Sequence, residues 1–301
     1  MLDIIGKRKI FFVISGVLVG AAILAMIVFG FKEGIDFSGG TLWQFKTGNA
    51  SVSDVQNVFT NDLKVQDARL NYETATNGFL ARLPAISESD HQTYTAALKA
   101  KFLGFTELSF QSIGPSVGAD LRNKSLIALG LVIIGISLYI AFAFRKVYRP
   151  VSSWRYGWMA LLSLFHDVAI PAGLIALLGH LSLVEVDSNF VVALLVVMGF
   201  SVHDTIVVFD RIRENLFLDR GRTDFATVIN QSINQTLARS INTSLTLILV
   251  LLALFFVGPA TLKYFILTLL VGVTTGMYSS IFIASPLLLA WQKVSPAKAK
   301  R

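Results

Sequence analysis

Two His-Asp pairs stand inside apolar runs: His166-Asp167, within Leu164-Phe165-His166-Asp167-Val168, and His203-Asp204, shortly before the charged Asp210-Arg211. A third polar patch opens another apolar run with Arg239 and continues through Ser240, Asn242, Thr243, Ser244 and Thr246. An ionisable group within a lipid-spanning segment costs at least about 2.5–3.5 kcal/mol on insertion scales, so function is the default reading of such a group. The chemistry these types support is proton transfer. Withdrawal from water favours a neutral carboxyl and an approaching guanidinium favours the charged one. A helix movement that changes the Asp204–Arg239 distance would therefore load or release a proton. Arg239, Thr243 and Thr246 share a helical face, and Ser201, Asp204 and Thr205 form a polar corner that should face other helices. The structural alternative stays open. Asp204 and Asp167 also fit as hydrogen-bonded glue between helices, and Arg239 as a basic anchor at the membrane edge.

Other chemistry is poorly represented. With no cysteine there is no disulfide, thiolate nucleophile or cysteine-ligated metal. His91 reads as a lone, solvated histidine rather than a metal ligand. No Walker A, dinucleotide fingerprint, G-x-S-x-G or H-E-x-x-H pattern occurs. The glycine-rich Gly34–Gly40 stretch lacks a following Lys-Ser/Thr and a helix, which argues against phosphate binding. The expectation is a non-enzymatic component with no cofactor and with the proton as coupling ion, since a gradient supplies about 2.3 kcal/mol per charge per 100 mV.

The elements that position these groups are set by composition. Of 301 residues, 54% are hydrophobic and only 15% charged, with 23 phenylalanines and a mean hydropathy of +0.65. Soluble chains average about 25% charged, so a soluble enzyme is disfavoured. Six runs reach the roughly 17–25 apolar residues a spanning helix needs: residues 10–31, 125–144, 156–178, 190–209, 240–261 and 264–291, with Pro171 and Pro259 interrupting two of them. The first follows Lys7, Arg8 and Lys9, as a signal peptide would. Its apolar stretch exceeds the roughly 7–15 residues of a signal core, so it reads as an uncleaved span. Gly16-x-x-x-Gly20 and Gly272-x-x-x-Gly276 permit close helix packing but are weak signals among glycine-rich membrane helices.

The net charge of +7 is a topology signal rather than a nucleic-acid signal. Basic residues gather at both termini and in alternate connections: Lys7–Lys9; Arg145, Lys146, Arg149 and Arg155; Arg211, Arg213, Arg220, Arg222 and Arg239; Lys293, Lys298, Lys300 and Arg301. The opposite loops hold Glu185 with Asp187, and Lys263. The positive-inside rule then makes both termini cytoplasmic and segment 32–124 external. The expected organisation is 1–31 as N-terminus and first span, 32–124 as a soluble domain, 125–291 as spans two to six, and 292–301 as a basic tail.

Segment 32–124 predicts a strand over 41–47, then a helix capped near Ser51–Asp54 and running to about Leu63. A hairpin of 65–72 and 79–83 around Thr76-Asn77-Gly78 follows, then a helix over 87–102 from Ser87 or Ser89, and a strand over 107–113. That β-α-β-β-α-β order is the ferredoxin-like α+β sandwich, a fold that alone carries no chemistry.

Several stretches resemble the SecD/SecF family of the resistance–nodulation–division superfamily. Gly34-Ile35-Asp36-Phe37-Ser38-Gly39-Gly40 looks like its junction motif, with Asp36, Gly39 and Gly40 as family positions. The block Phe200–Asn215, containing Asp204, Thr205, Asp210 and Arg211, resembles the fourth-span signature of the SecF branch. Gly114-Pro115-Ser116-Val117-Gly118, His166-Asp167 and Gln235–Ser240 also fit. The likeness covers essentially the whole chain, and a single outside domain fits the SecF branch rather than a SecDF fusion. It implies a six-helix half-transporter bundle with an inserted periplasmic domain in the bacterial inner membrane. It implies work with SecD and the SecYEG channel, and with YajC-type and insertase subunits, to drive preprotein export by the proton-motive force. It places the family's membrane aspartate at Asp204 and its arginine at Arg239. His203 departs from the neutral residue, commonly Asn, of the family pattern, and puts a second titratable group beside Asp204. A small-molecule proton antiporter of the same superfamily and a non-transporting assembly scaffold are the competing classes.

Overall fold

The computed structural model describes residues 1–73, 76–144 and 153–294. Arg145, Lys146 and Arg149, and Lys298, Lys300 and Arg301, which carry part of the expected charge asymmetry, lie outside them. The chain divides into two compact units, Glu33–Ile127, and Met1–Lys32 together with the chain from Ala128 onward.

The first unit opens with a one-turn helix, α2 (Ile35–Ser38), inside the glycine motif, and a strand rather than a helix follows it. Gly39 and Gly40 both have positive φ, and a Cβ on Gly39 would stand 2.8 Å from Pro115 Cα. The motif is thus packed against the Gly114–Gly118 motif, which explains the glycine there without any ligand. Strands β1 (Gly40–Lys46), β2 (Arg69–Glu73), β3 (Gly78–Leu83) and β4 (Thr106–Ile113) form one sheet in the order β2-β3-β1-β4. Its neighbours are all antiparallel. Alternation along β1 buries Trp43 and Phe45, where they meet Phe59, Phe79 and Phe105 at ring distances of 5.4–6.3 Å. β2 begins at Arg69, later than the sequence suggests, because Lys64 and Asp67 take positive φ and break the extended run.

Helices α3 (Val52–Asn57) and α4 (Glu88–Lys101) start at Ser51 and Ser87, each in a capping box with the aspartate three residues on. α3 widens into a π turn at Val58–Asp62, which lets the consecutive Val58 and Phe59 both reach the core. The Ser51 hydroxyl and amide hold the Asp54 carboxyl below the usual carboxylate range. A lowered folded value means stabilisation that is present above the unfolded value of 3.8 and lost as pH falls through the folded one. Amide exchange over residues 51–55 is therefore expected to speed up selectively below that range. Unchanged protection there would contradict the cap.

The second unit holds α1 (Arg8–Phe29), the rest of α5 (Pro115–Ala143), α6 (Ser153–His180), α7 (Ser188–Asp219), α8 (Phe225–Val257) and α9 (Lys263–Ser279). α9 continues through a π turn at Ser280–Ala284 into α10 (Ser285–Val294). Among the described residues six helices are long and apolar enough to cross a membrane, the last being α9 and α10 joined. Pro171 lies inside α6, which remains one helix, as membrane helices allow. Pro259, expected to interrupt the fifth span, instead follows the Gly258 cap that ends α8. Several helices outrun their apolar stretches, α8 by a polar N-terminal third from Phe225 and α7 by the turns to Asp219. Hydropathy alone registers only the lipid-compatible part of a helix.

That polar extension of α8 receives the N-terminal segment, a contact with no sequence signature. Asn230 Oδ1 accepts from the amides of Ile4 and Ile5, and Asn234 Oδ1 from that of Leu2, at 2.8–3.2 Å. Both asparagine side-chain amides donate to Leu2 O. Ile4 and Ile5 are buried in the same core as Tyr156, Phe209 and Ile229.

Candidate functional site

α6, α7 and α9 meet at Asp167, which is 0% exposed. Its Oδ2 accepts from Ser201 Oγ of α7 at 2.5 Å and from Ser279 Oγ of α9 at 2.7 Å. Its Oδ1 lies 2.8 Å from Nδ1 of the neighbouring His166. Ser163 Oγ donates to Ser279 at 2.9 Å. The remaining ring nitrogen of His166, Nε2, is buried without a partner among the described residues. Serine is too short to reach a carboxylate across ordinary helix packing. Gly276 supplies the close approach: a Cβ there would lie 3.3 Å from Ser201 Cβ and 3.7 Å from Asp167 Oδ2.

One turn further along α7, Asp204 is 3% exposed. Among the described residues it accepts a single side-chain bond, from Ser244 Oγ of α8 at 3.2 Å. Thr205, also buried, pairs its hydroxyl with Ser280 at 2.9 Å, at the π turn after α9. π turns cluster at functional positions in helices.

Arg239 and His203 are both exposed. Among the described residues neither makes an ion pair or hydrogen bond to Asp204. The face of α8 turned to α7 is not Arg239, Thr243 and Thr246 but Thr236, Ser240 and Ser244, displaced by one residue, about 100° on a 3.6-residue helix. Leu, Ile and Val flank both stripes, so hydropathy does not separate them. The separating signal is a hydroxyl at every fourth position, Ser232, Thr236, Ser240 and Ser244, which the eye passes over beside a charged arginine.

Asp210 and Arg211 are at or near the surface of α7, and Asp36 is half-buried in the first unit. Asp210 pairs with Arg213 at 3.3 Å and Arg211 with Glu214 at 3.0 Å, one turn apart on α7. Asp36 Oδ1 accepts from Gln111 at 3.4 Å.

The family described as protein export membrane protein SecD/SecF, C-terminal, matches residues 93–294. Protein translocase subunit SecF of Thermobaculum terrenum is 44% identical over 303 residues, covering 97% of this chain and 94% of the relative. The protein of the same description from Anaerolinea thermophila is 38% identical over the same shares. Protein translocase subunit SecDF of Thermus thermophilus is 37% identical over 93% of this chain but only 37% of its own length. The crystal structure of SecDF, a translocon-associated membrane protein from Thermus thermophilus, superposes with a TM-score of 0.81 at 33% identity, over 97% of this chain and 39% of that one.

Proposed function

Since the chain belongs to the SecD/SecF family and is a SecF-type subunit of the protein translocase, we propose that it turns the proton-motive force into preprotein export through Asp204. The observation that carries this reading is the contrast between two buried carboxyls. Asp167 is held by donors from three side chains, whereas Asp204 is held by one long bond from Ser244. A group that must gain and lose a proton in each cycle needs room to change partners, and only Asp204 has it. Asp167 and His166 then secure the helices against which α7 moves.

The partner is a SecD subunit. Two observations support it: the Thermus relative is a SecDF chain of which this protein matches part, and α8 exposes Arg239, Asn242, Thr243 and Thr246 along a helix long and apolar enough to span. Such a face belongs against protein rather than lipid, so Arg239 acts across the SecD contact. We place the pair beside the SecYEG channel in the bacterial inner membrane, with YajC-type and insertase subunits as neighbours and the preprotein as load. Both termini are cytoplasmic and the Glu33–Ile127 unit periplasmic. That unit is of the ferredoxin-like type, as its strand order suggests, and the helices form a resistance–nodulation–division half-transporter.

The test is Asp204→Asn, which keeps shape and removes the titrating group. Export into inverted membrane vesicles should lose its stimulation by a proton gradient while the variant still co-purifies with SecD. Full gradient stimulation in that variant leaves Asp204 a structural residue and the chain an assembly scaffold.

A further inference from the structure

Three side-chain bonds, at two levels, fix the register of the antiparallel α7–α8 pair. Near the α7–α8 loop, Asn215 Nδ2 donates to Ser232 Oγ at 2.8 Å and to Gln235 Oε1 at 2.9 Å. Deeper in, Ser244 meets Asp204. Between those bonds α7 runs back from 215 to 204 while α8 runs on from 232 to 244. Thr236 and Ser240 therefore stand level with Ile212 and Val208. Ser232, Thr236, Ser240 and Ser244 are all buried, and so are Ile212 and Val208.

Four hydroxyls thus line one face of α8 over about 18 Å, at 1.5 Å per residue. They reach from the Asn215–Gln235 pair, where Gln235 is exposed, to the Asp204 carboxyl. Interhelical glue explains only the ends. Thr236 turns its hydroxyl back to Ser232 O and Ile233 O of its own helix, and Ser240 Oγ, on a residue 1% exposed, is buried with no partner among the described residues. An orphaned buried hydroxyl costs about 1–3 kcal/mol, a cost alanine at position 240 would avoid, while the Thr236 hydroxyl is satisfied by its own helix and not by α7. A hydroxyl kept at position 240 at a loss needs an occupant, and the occupant that suits one donor and two lone pairs beside a carboxyl is water.

We propose that Ser232, Thr236, Ser240 and Ser244 form the limb of the proton route that joins Asp204 to the α7–α8 loop, completed by a file of waters that bridges successive hydroxyls and includes one held at Ser240. The inference rests on Asp204 being the proton carrier. Successive hydroxyls stand four residues, about 6 Å, apart along the helix, a gap that one water bridges. The Asp204 carboxyl gives its proton to Ser244 Oγ as Ser244 gives its own to the next water, and the transfer repeats through Ser240, Thr236 and Ser232 to solvent at Asn215 and Gln235. Ser232 Oγ otherwise donates to Val228 O and Thr236 Oγ1 to Ser232 O and Ile233 O, so both hydroxyls turn into the file when it conducts. Asp204 loses one O–H bond, each relay oxygen gains one and gives one up, and no other bond changes. Val208 and Ile212 keep the middle of the path narrow, so that it conducts only when water fills it.

The test uses the chain assembled with its SecD partner in proteoliposomes, with an imposed pH gradient and an internal pH dye. Ser240→Ala and Thr236→Val should each slow proton flux by about tenfold or more, equivalent to at least about 1.4 kcal/mol. Ser240→Thr, which keeps the hydroxyl, should stay close to the parent rate. Parent flux in Ser240→Ala, with Asp204→Asn inactive in the same preparation, overturns the hydroxyl route and leaves Asp204 standing. Parent flux in Asp204→Asn overturns the underlying reading instead. A reconstruction of the pair that resolves ordered water should show one within hydrogen-bonding distance of Ser240 Oγ, and a dry Ser240 there overturns the proposal independently of how any variant folds.

Discussion

Asp167→Ala is expected to destabilise the membrane unit by about 3–5 kcal/mol, since each buried donor left without its acceptor costs about 1–3 kcal/mol. The change strips the acceptor from Ser201, Ser279 and His166 at once. Ser279 retains Gly276 O at 3.2 Å as a fallback, but His166 already has one ring nitrogen unpaired and would then have both. Asp204→Ala removes the acceptor of a single 3.2 Å bond and should cost nearer 1 kcal/mol. Asp167→Asn, which keeps one carbonyl oxygen, should fall between. Thermal unfolding of the detergent-solubilised SecD complex, followed on all three variants, gives the order. An Asp204→Ala loss equal to that of Asp167→Ala would remove the distinction between a held carboxyl and a mobile one.

That distinction was not visible in the sequence, where both aspartates follow a histidine inside an apolar run. Periodicity and composition announce the six spans and the soluble domain because each long apolar run and each alternating strand repeats its signal many times. The site depends on single side chains whose partners lie far away in the chain: Ser163, Ser279 and Ser280 carry no marking beyond being serines in apolar runs. Arg239 misleads for a related reason. Charge draws attention to the face of α8 that carries it, while the face packed on α7 is made of small hydroxyls one residue over. The N-terminal contact with Asn230 and Asn234 was illegible altogether, since its acceptors answer backbone amides that every sequence supplies.

The glycine pairs show how packing sorts equal sequence signals. Gly16 and Gly20 of α1 face open space, and the tight α1–α6 crossing is made instead by Gly173 against Ala22. Gly272 and Gly276 of α9 sit directly on α7, against Val197 and Ser201. Gly276→Ala should be felt modestly, since its Cβ enters at 3.3 Å from Ser201 Cβ. Gly276→Val adds branches that α7 and Asp167 have no room for. It should cost about 1–3 kcal/mol through overpacking and also part the Ser279–Asp167 bond. The decisive measurement is therefore the double variant. If Gly276 matters because it brings Ser279 and Ser201 to Asp167, then Gly276→Val in the Asp167→Ala background should destabilise less than it does alone, with a coupling of about 0.5–3 kcal/mol, as for residues sharing one network. Strict additivity would mean that the glycine serves helix packing and the carboxyl serves itself.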